Sequence, residues 1–244
     1  MIRIECKLDF LPQDVNIQSS SLTGYSAMQL DWATIDTVFL DMDGTLLDLH
    51  FDNYFWLEHV PMRFAQANEI TVEEAKQELF PRFRKMEGTM EWYCIDYWSN
   101  ELGLDIAMLK EEVDHLIAVF PHVTDFLDAA RATGKRVVLV TNAHGKSLSL
   151  KMDRTQLGGH FDALICSHDF GIPKESPDFW GQLQDKESYD KKSTLLVDDS
   201  LAVLRSADNY GIKHLCAIYK PDSKSPEREI LEFPAIHSFL EIMP

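Results

Sequence analysis

Four short apolar runs limit the fold more than any other feature of the chain: IDTVFL (35–40), RVVLVT (136–141), DALICS (162–167) and STLLVDD (193–199). They are rich in β-branched residues and lack strict polar–apolar alternation, the pattern of parallel strands covered on both faces. Helix-like segments lie between them, over 124–133 closed by Gly134, 146–157 closed by Gly158-Gly159, and 200–210 closed by Gly211. Glycine suits a helix stop because it enters the left-handed region without a Cβ clash. HLCAIY (214–219) follows as a final short strand. This alternation predicts right-handed crossovers and an α/β, Rossmann-like doubly wound parallel sheet, with the strands' carboxyl ends on one ligand-binding edge.

Residues 50–121 interrupt the alternation with helical signals and no strand. Thr71 and Glu74 have the spacing of a capping box. Val72, Ala75, Leu79, Phe83 and Met86 then recur at helical spacing, and Pro81 is expected to kink or split that helix. Leu109, Val113 and Leu116 mark another helix after Asp105. The expected organisation is a flexible lead-in over 1–33, an α/β core over 34–49 and 122–244, and an inserted α-helical cap domain over 50–121. Met28 offers an alternative start close to the first strand.

Charge excludes some functions. Against 23 Lys and Arg stand 40 Asp and Glu, a formal net charge of -17, which repels nucleic-acid polymers and anionic membranes. The four cysteines, Cys6, Cys94, Cys166 and Cys216, include no C-x-x-C pair, so no zinc knuckle or redox motif is spelled out. With no signal-peptide pattern and no run able to span a bilayer, a cytoplasmic protein is expected, as a monomer or weak homodimer.

The chemistry gathers at strand ends. The first strand runs into Asp41-Met42-Asp43-Gly44-Thr45, and STLLVDD ends in Asp198-Asp199. If these strands are neighbours, four carboxylates converge, and such a cluster requires protons or a cation. All-oxygen ligands favour a hard ion, Mg²⁺ above others. Thr141, at the end of RVVLVT, and Asn142 offer a hydroxyl and backbone N–H groups for phosphate oxygens, and Lys174 supplies a positive charge. Asp199 has a competing role as the N-cap of the helix that follows it.

In this order, Asp41 to Leu46, Thr141, Lys174 and Asp198-Asp199 resemble the four motifs of the haloacid dehalogenase-like hydrolase superfamily, from about residue 34 onward. The resemblance implies Asp41 as a nucleophile forming an aspartyl-phosphate and Asp43 as acid and base. It implies Mg²⁺ held by the Asp41 carboxylate, the Asp43 carbonyl and Asp198, with Asp199 close by. The dehalogenase branch lacks the second aspartate, so Asp43 favours phosphate-ester chemistry. The runs 48–56, 92–99 and Thr141-Asn142-Ala143-His144 are similar to the bacterial GMP/IMP nucleotidase branch, from which the chain departs by its lead-in. That likeness implies a small-molecule phosphate monoester substrate, a purine nucleoside 5′-monophosphate.

Residues 51–120 hold 12 of the 26 aromatics. Most are expected in a helical core, while Tyr54, Trp92 and Tyr93 are candidates to stack on a purine. His50, His144 and His168 are scattered, which favours supporting or surface roles over metal ligation. The rival readings are a sugar-phosphate or phosphoglycolate phosphatase, a phosphomutase, and a non-catalytic phosphate or nucleotide sensor.

Overall fold

The computed structural model describes residues 30–244, so most of the expected lead-in lies outside the described residues. Its last part is ordered, contrary to expectation: Trp32–Thr34 form a 3₁₀ turn capped by Asp31, and the Trp32 ring packs 6.0 Å from Phe126.

Six parallel strands, β1 (Thr37–Leu40), β2 (Arg136–Thr141), β3 (Ala163–Cys166), β4 (Thr194–Val197), β5 (His214–Ile218) and β6 (Ala235–Ile236), form one sheet. Their order is β3-β2-β1-β4-β5-β6. Register puts Leu40 beside Leu139 on one flank and Val197 on the other, so β1 and β4 end level while β2 runs on to Thr141. Alternate residues serve opposite faces. Val38, Leu40, Val137 and Leu139 pack on one face with Phe126 and Leu127, whereas Phe39, Val138, Val140 and Leu196 meet Phe179, Trp180, Val203 and Leu204 on the other. At the edge strand β3 the double coverage fails, and Leu164 is 41% exposed. The two-residue β6 is too short to carry a sequence pattern.

Between β1 and β2 the chain forms α1 (His50–Tyr54), a π-helical turn (Phe55–His59), α2 (Val60–Asn68), α3 (Val72–Met86), α4 (Met90–Tyr93), α5 (Ile95–Leu102) and α6 (Ile106–Glu112). The widened turn, with Val60 N–H bonded to the Phe55 carbonyl, immediately precedes Pro61, which has no N–H to continue the ladder. These helices bury their own cluster, including Phe51, Phe55, Trp56, Phe83 and Trp98. The segments entering and leaving them run side by side: Asp48 N–H donates to the Ala118 carbonyl and Phe120 N–H to that of Leu46, each at 2.9 Å. A single-residue bridge joins Leu47 to Val119, and no strand occurs between residues 70 and 119.

After these come α7 (Val123–Ala132), α8 (Gly145–Thr155), α9 (Pro177–Lys186) and α10 (Leu201–Tyr210). One expectation fails in α8, and in α3 the split allowed for at Pro81 does not occur. Helix α3 passes through Pro81 unsplit; Pro81 and Gln77 are exposed, so water can satisfy the carbonyl that proline leaves without its donor. Helix α8 stops at Gln156, in the left-handed region at φ 58°, and Gly158-Gly159 belong to the next 3₁₀ turn. No described helix is long and apolar enough to cross a membrane.

Candidate active site

The carboxyl ends of the neighbouring strands β1, β2 and β4 deliver Asp41, Thr141-Asn142 and Asp198-Asp199 to one place. After β1 the chain turns at once, with Leu46 and Leu47 N–H both donating to the Met42 carbonyl. Gly44 makes the turn possible: its φ is +83°, and a Cβ there would lie 2.7 Å from Asp199 Oδ2.

Lys174, arriving from the loop before α9, is 1% exposed. Its Nζ donates to Asp41 Oδ1 at 2.5 Å, Asp198 Oδ2 at 2.7 Å and the Val140 carbonyl at 2.9 Å. Burial works against the ammonium charge, but Asp198 and Asp41 outweigh it and hold the group above the ordinary lysine range. Asn142 fixes this loop: Oδ1 accepts Lys174 N–H at 2.9 Å, and Nδ2 donates to Glu175 at 2.8 Å. Its side chain is therefore a brace. Thr141 Oγ1 accepts Ala143 N–H at 3.0 Å, which leaves the hydroxyl proton to donate.

Carboxylate oxygens of Asp41, Asp198 and Asp199 all lie within 4.8 Å of one another, and all three residues are buried. Asp199 N–H donates to Thr45 Oγ1 at 3.0 Å. The N-cap of α10 is Ser200, so the capping role considered for Asp199 falls to its neighbour.

Sequence reasoning missed a second charge cluster. Lys151, on α8, donates to Asp43 Oδ1 at 2.6 Å and Asp52 Oδ2 at 2.7 Å. Lys110 meets the other Asp52 oxygen at 2.8 Å and lies over the Phe55 ring, 4.5 Å from its centroid. Burial raises Asp43 to about 6, with Asp52 and Asp41 adding to the shift and Lys151 opposing it. Burial acts on Asp52 too, but Lys110 and Lys151 pull it below the ordinary carboxylate range. These partners lie far apart in sequence, so a charge pattern along the chain gives no sign of them.

The carboxylates open into a cleft partly continuous with solvent, whose other wall comes from the helical segment through Trp56, Trp92, Tyr93 and Lys110. Tyr93 Oη donates to Glu175 Oε1 at 2.6 Å. Trp92 is also part of the aromatic cluster with Trp56 and Trp98. Tyr54 does not line the cleft; it is 36% exposed and packs beside His50 and His59. The structure thus separates it from the other two aromatic candidates.

A family model for haloacid dehalogenase-like hydrolases matches residues 35–211. The chain is 37% identical over 217 residues to the GMP/IMP nucleotidase YrfG of Escherichia coli K12, covering 89% of this chain and 98% of that protein. It is 22% identical over 195 residues to the pyrimidine 5′-nucleotidase YjjG of the same organism, covering 71% and 79%. Among solved structures, a HAD phosphatase from Thermococcus onnurineus superposes with a TM-score of 0.72 at 21% identity, covering 85% of this chain and 96% of the other.

Proposed function

The chain belongs to the haloacid dehalogenase-like hydrolase family, and from that premise we propose that it is a Mg²⁺-dependent phosphate monoester hydrolase acting on a purine nucleoside 5′-monophosphate, GMP or IMP. The reading rests on the setting of Asp41, a buried carboxylate bracketed by Lys174 and close to Asp198, with a second acid two residues on.

Asp41 attacks phosphorus in line with the ester oxygen. The P–O bond to the nucleoside breaks, and Asp43 gives its proton to the departing oxygen. Water then attacks the aspartyl-phosphate, Asp43 takes the water's proton, and the bond from phosphorus to Asp41 breaks to release phosphate. An acid near pH 6 can fill both roles, and Lys151 aims it. Lys174 offsets charge between the anionic nucleophile and the anionic phosphate, and the Thr141 hydroxyl donates to a phosphoryl oxygen.

The donor set of Asp41, Asp198 and Asp199 suits Mg²⁺: three buried carboxylates, all-oxygen, with more negative charge than Lys174 balances. When bound, the ion supplies the remaining positive charge for phosphoryl transfer. The helices over 50–121 act as a cap, and Trp56, Trp92 and Tyr93 offer a flat base an aromatic wall. The 37% identical nucleotidase supports the purine preference.

Phosphate release with Mg²⁺ from GMP, IMP, AMP, UMP, phosphoglycolate and glucose phosphates tests the proposal. GMP and IMP are expected to give the highest kcat/KM. A tenfold lead for phosphoglycolate or a sugar phosphate would overturn the substrate, and no phosphate from any of them would overturn the reaction.

A further inference from the structure

Cys94, His144 and His168 are scattered in sequence but not in space. One donor atom from each lies within 4.8 Å of the others, and the two imidazoles are edge to face with centroids 5.0 Å apart. We propose that these three residues form a binding site for a zinc-class divalent cation that ties the helical segment to the sheet.

Each ligand comes from a fixed position. Cys94 lies between α4 and α5 and caps α5, its Sγ accepting Tyr97 N–H at 3.4 Å. His144 follows β2 and caps α8. His168 sits in the 3₁₀ turn after β3. A tetrahedral zinc ion holds N and S ligands roughly 3.5 Å apart, so small side-chain rotations close the set around an ion. One sulfur and two imidazole nitrogens select zinc over magnesium, as the all-oxygen set around Asp41 does not.

A second observation points to a ligand. His168 Nε2 is buried with no hydrogen-bond partner, an arrangement that folding alone leaves unexplained. His144 Nδ1 accepts a long bond, 3.3 Å, from Lys146 N–H, so coordination through Nε2 gives up little. Asp96 Oδ2, 3.8 Å from that Nε2, places a negative charge at the edge of the site.

The ion would join Cys94 of the cap to two core residues beside Tyr93 and Asn142, holding the cleft closed and slowing turnover. That consequence rests on the hydrolase reading; binding does not. The test uses the full chain, stripped of metal and then saturated with Mg²⁺, with Co²⁺ as the spectroscopic probe and Zn²⁺ affinity measured against a chromophoric chelator. A thiolate-to-cobalt charge-transfer band is expected in the wild type and in Asp198→Asn, and lost in Cys94→Ser. Zn²⁺ should bind about 100-fold more weakly to Cys94→Ser and at least about tenfold more weakly to His168→Gln, with circular dichroism confirming that both fold. Absence of the band, or its survival in Cys94→Ser, overturns the site. Zn²⁺ should also inhibit phosphate release by the wild type more than by Cys94→Ser; equal inhibition overturns the closure while leaving the binding result to stand by itself.

Discussion

Asp41 and Asp43 were legible as residues because a single turn of backbone holds both, and Lys174 because it completes an ordered set. Lys151 and Asp43, 108 residues apart, meet only once α8 is laid beside the turn that follows β1. Asp41→Asn is nearly isosteric and removes the nucleophilic charge, so phosphate release should vanish while the unfolding transition stays in place; residual turnover within tenfold of wild type would refute the nucleophile. Asp52 makes a separate prediction about stability. Its pKa is lowered because Lys110 and Lys151 outweigh burial, so its carboxylate stabilises the fold above the unfolded value of about 4 and loses that contribution as pH falls below it. Asp52→Asn leaves two buried ammoniums undercompensated and should cost about 3 kcal/mol at pH 7. Urea unfolding should show the gap between variant and wild type narrowing below pH 4, and a gap constant with pH would show that the loss is one of shape.

At the scale of elements, strands were readable and helix ends less so. Strand β2 begins and ends where its apolar run does, since a buried strand needs every residue of the run. The stop of α8 was misplaced because Gln156 adopts the left-handed conformation two residues before the glycine pair, and Leu157 then enters the core on one face of the sheet. Pro81 does not split α3, because the cost of a missing donor depends on which way the freed carbonyl faces. Pro81→Ala should therefore stabilise the protein by about 1–3 kcal/mol, measured by thermal unfolding, and a loss of stability would show that proline fits this helix better than alanine does. The turn after β1 predicts the opposite outcome. In Gly44→Ala, positive φ and a Cβ 2.9 Å from that of Pro221 and 2.7 Å from Asp199 Oδ2 combine strain with displacement of a candidate metal ligand. Stability should fall by about 1–3 kcal/mol, and the Mg²⁺ concentration giving half-maximal phosphate release should rise. An unchanged Mg²⁺ requirement would separate Asp199 from the ion.

For the whole molecule, the question is what holds the helical segment over the sheet edge. Polar contacts bridge the two at the cleft, Tyr93 with Glu175 and Asp52 with Lys151, and outside its lining, Asp96 with Lys146 and Asn53 with Asp222. None was predictable from sequence, because each partner's place depends on how the two connecting segments at Leu46–Asp48 and 118–120 run together. The Asp96–Lys146 pair is exposed on both sides and should contribute little. The Tyr93 phenol is different: burial first, then Glu175, raises its pKa well above the ordinary tyrosine value, so it stays a proton donor at any working pH. A hydrogen bond from a buried donor to a carboxylate contributes about 1.5–3 kcal/mol, and Tyr93→Phe removes it while keeping the ring against the cleft. If this bond stabilises the closed arrangement, the closed fraction falls and KM for the nucleotide should rise about tenfold or more. Turnover at saturation should hold, or rise if cap opening limits product release. Steady-state kinetics on GMP and on a small aryl phosphate separate the possibilities. A KM increase for both substrates at steady kcat places Tyr93 in closure, an increase confined to GMP makes it a contact for the base, and a fall in kcat at unchanged KM would place the phenol in the chemistry and refute the latch.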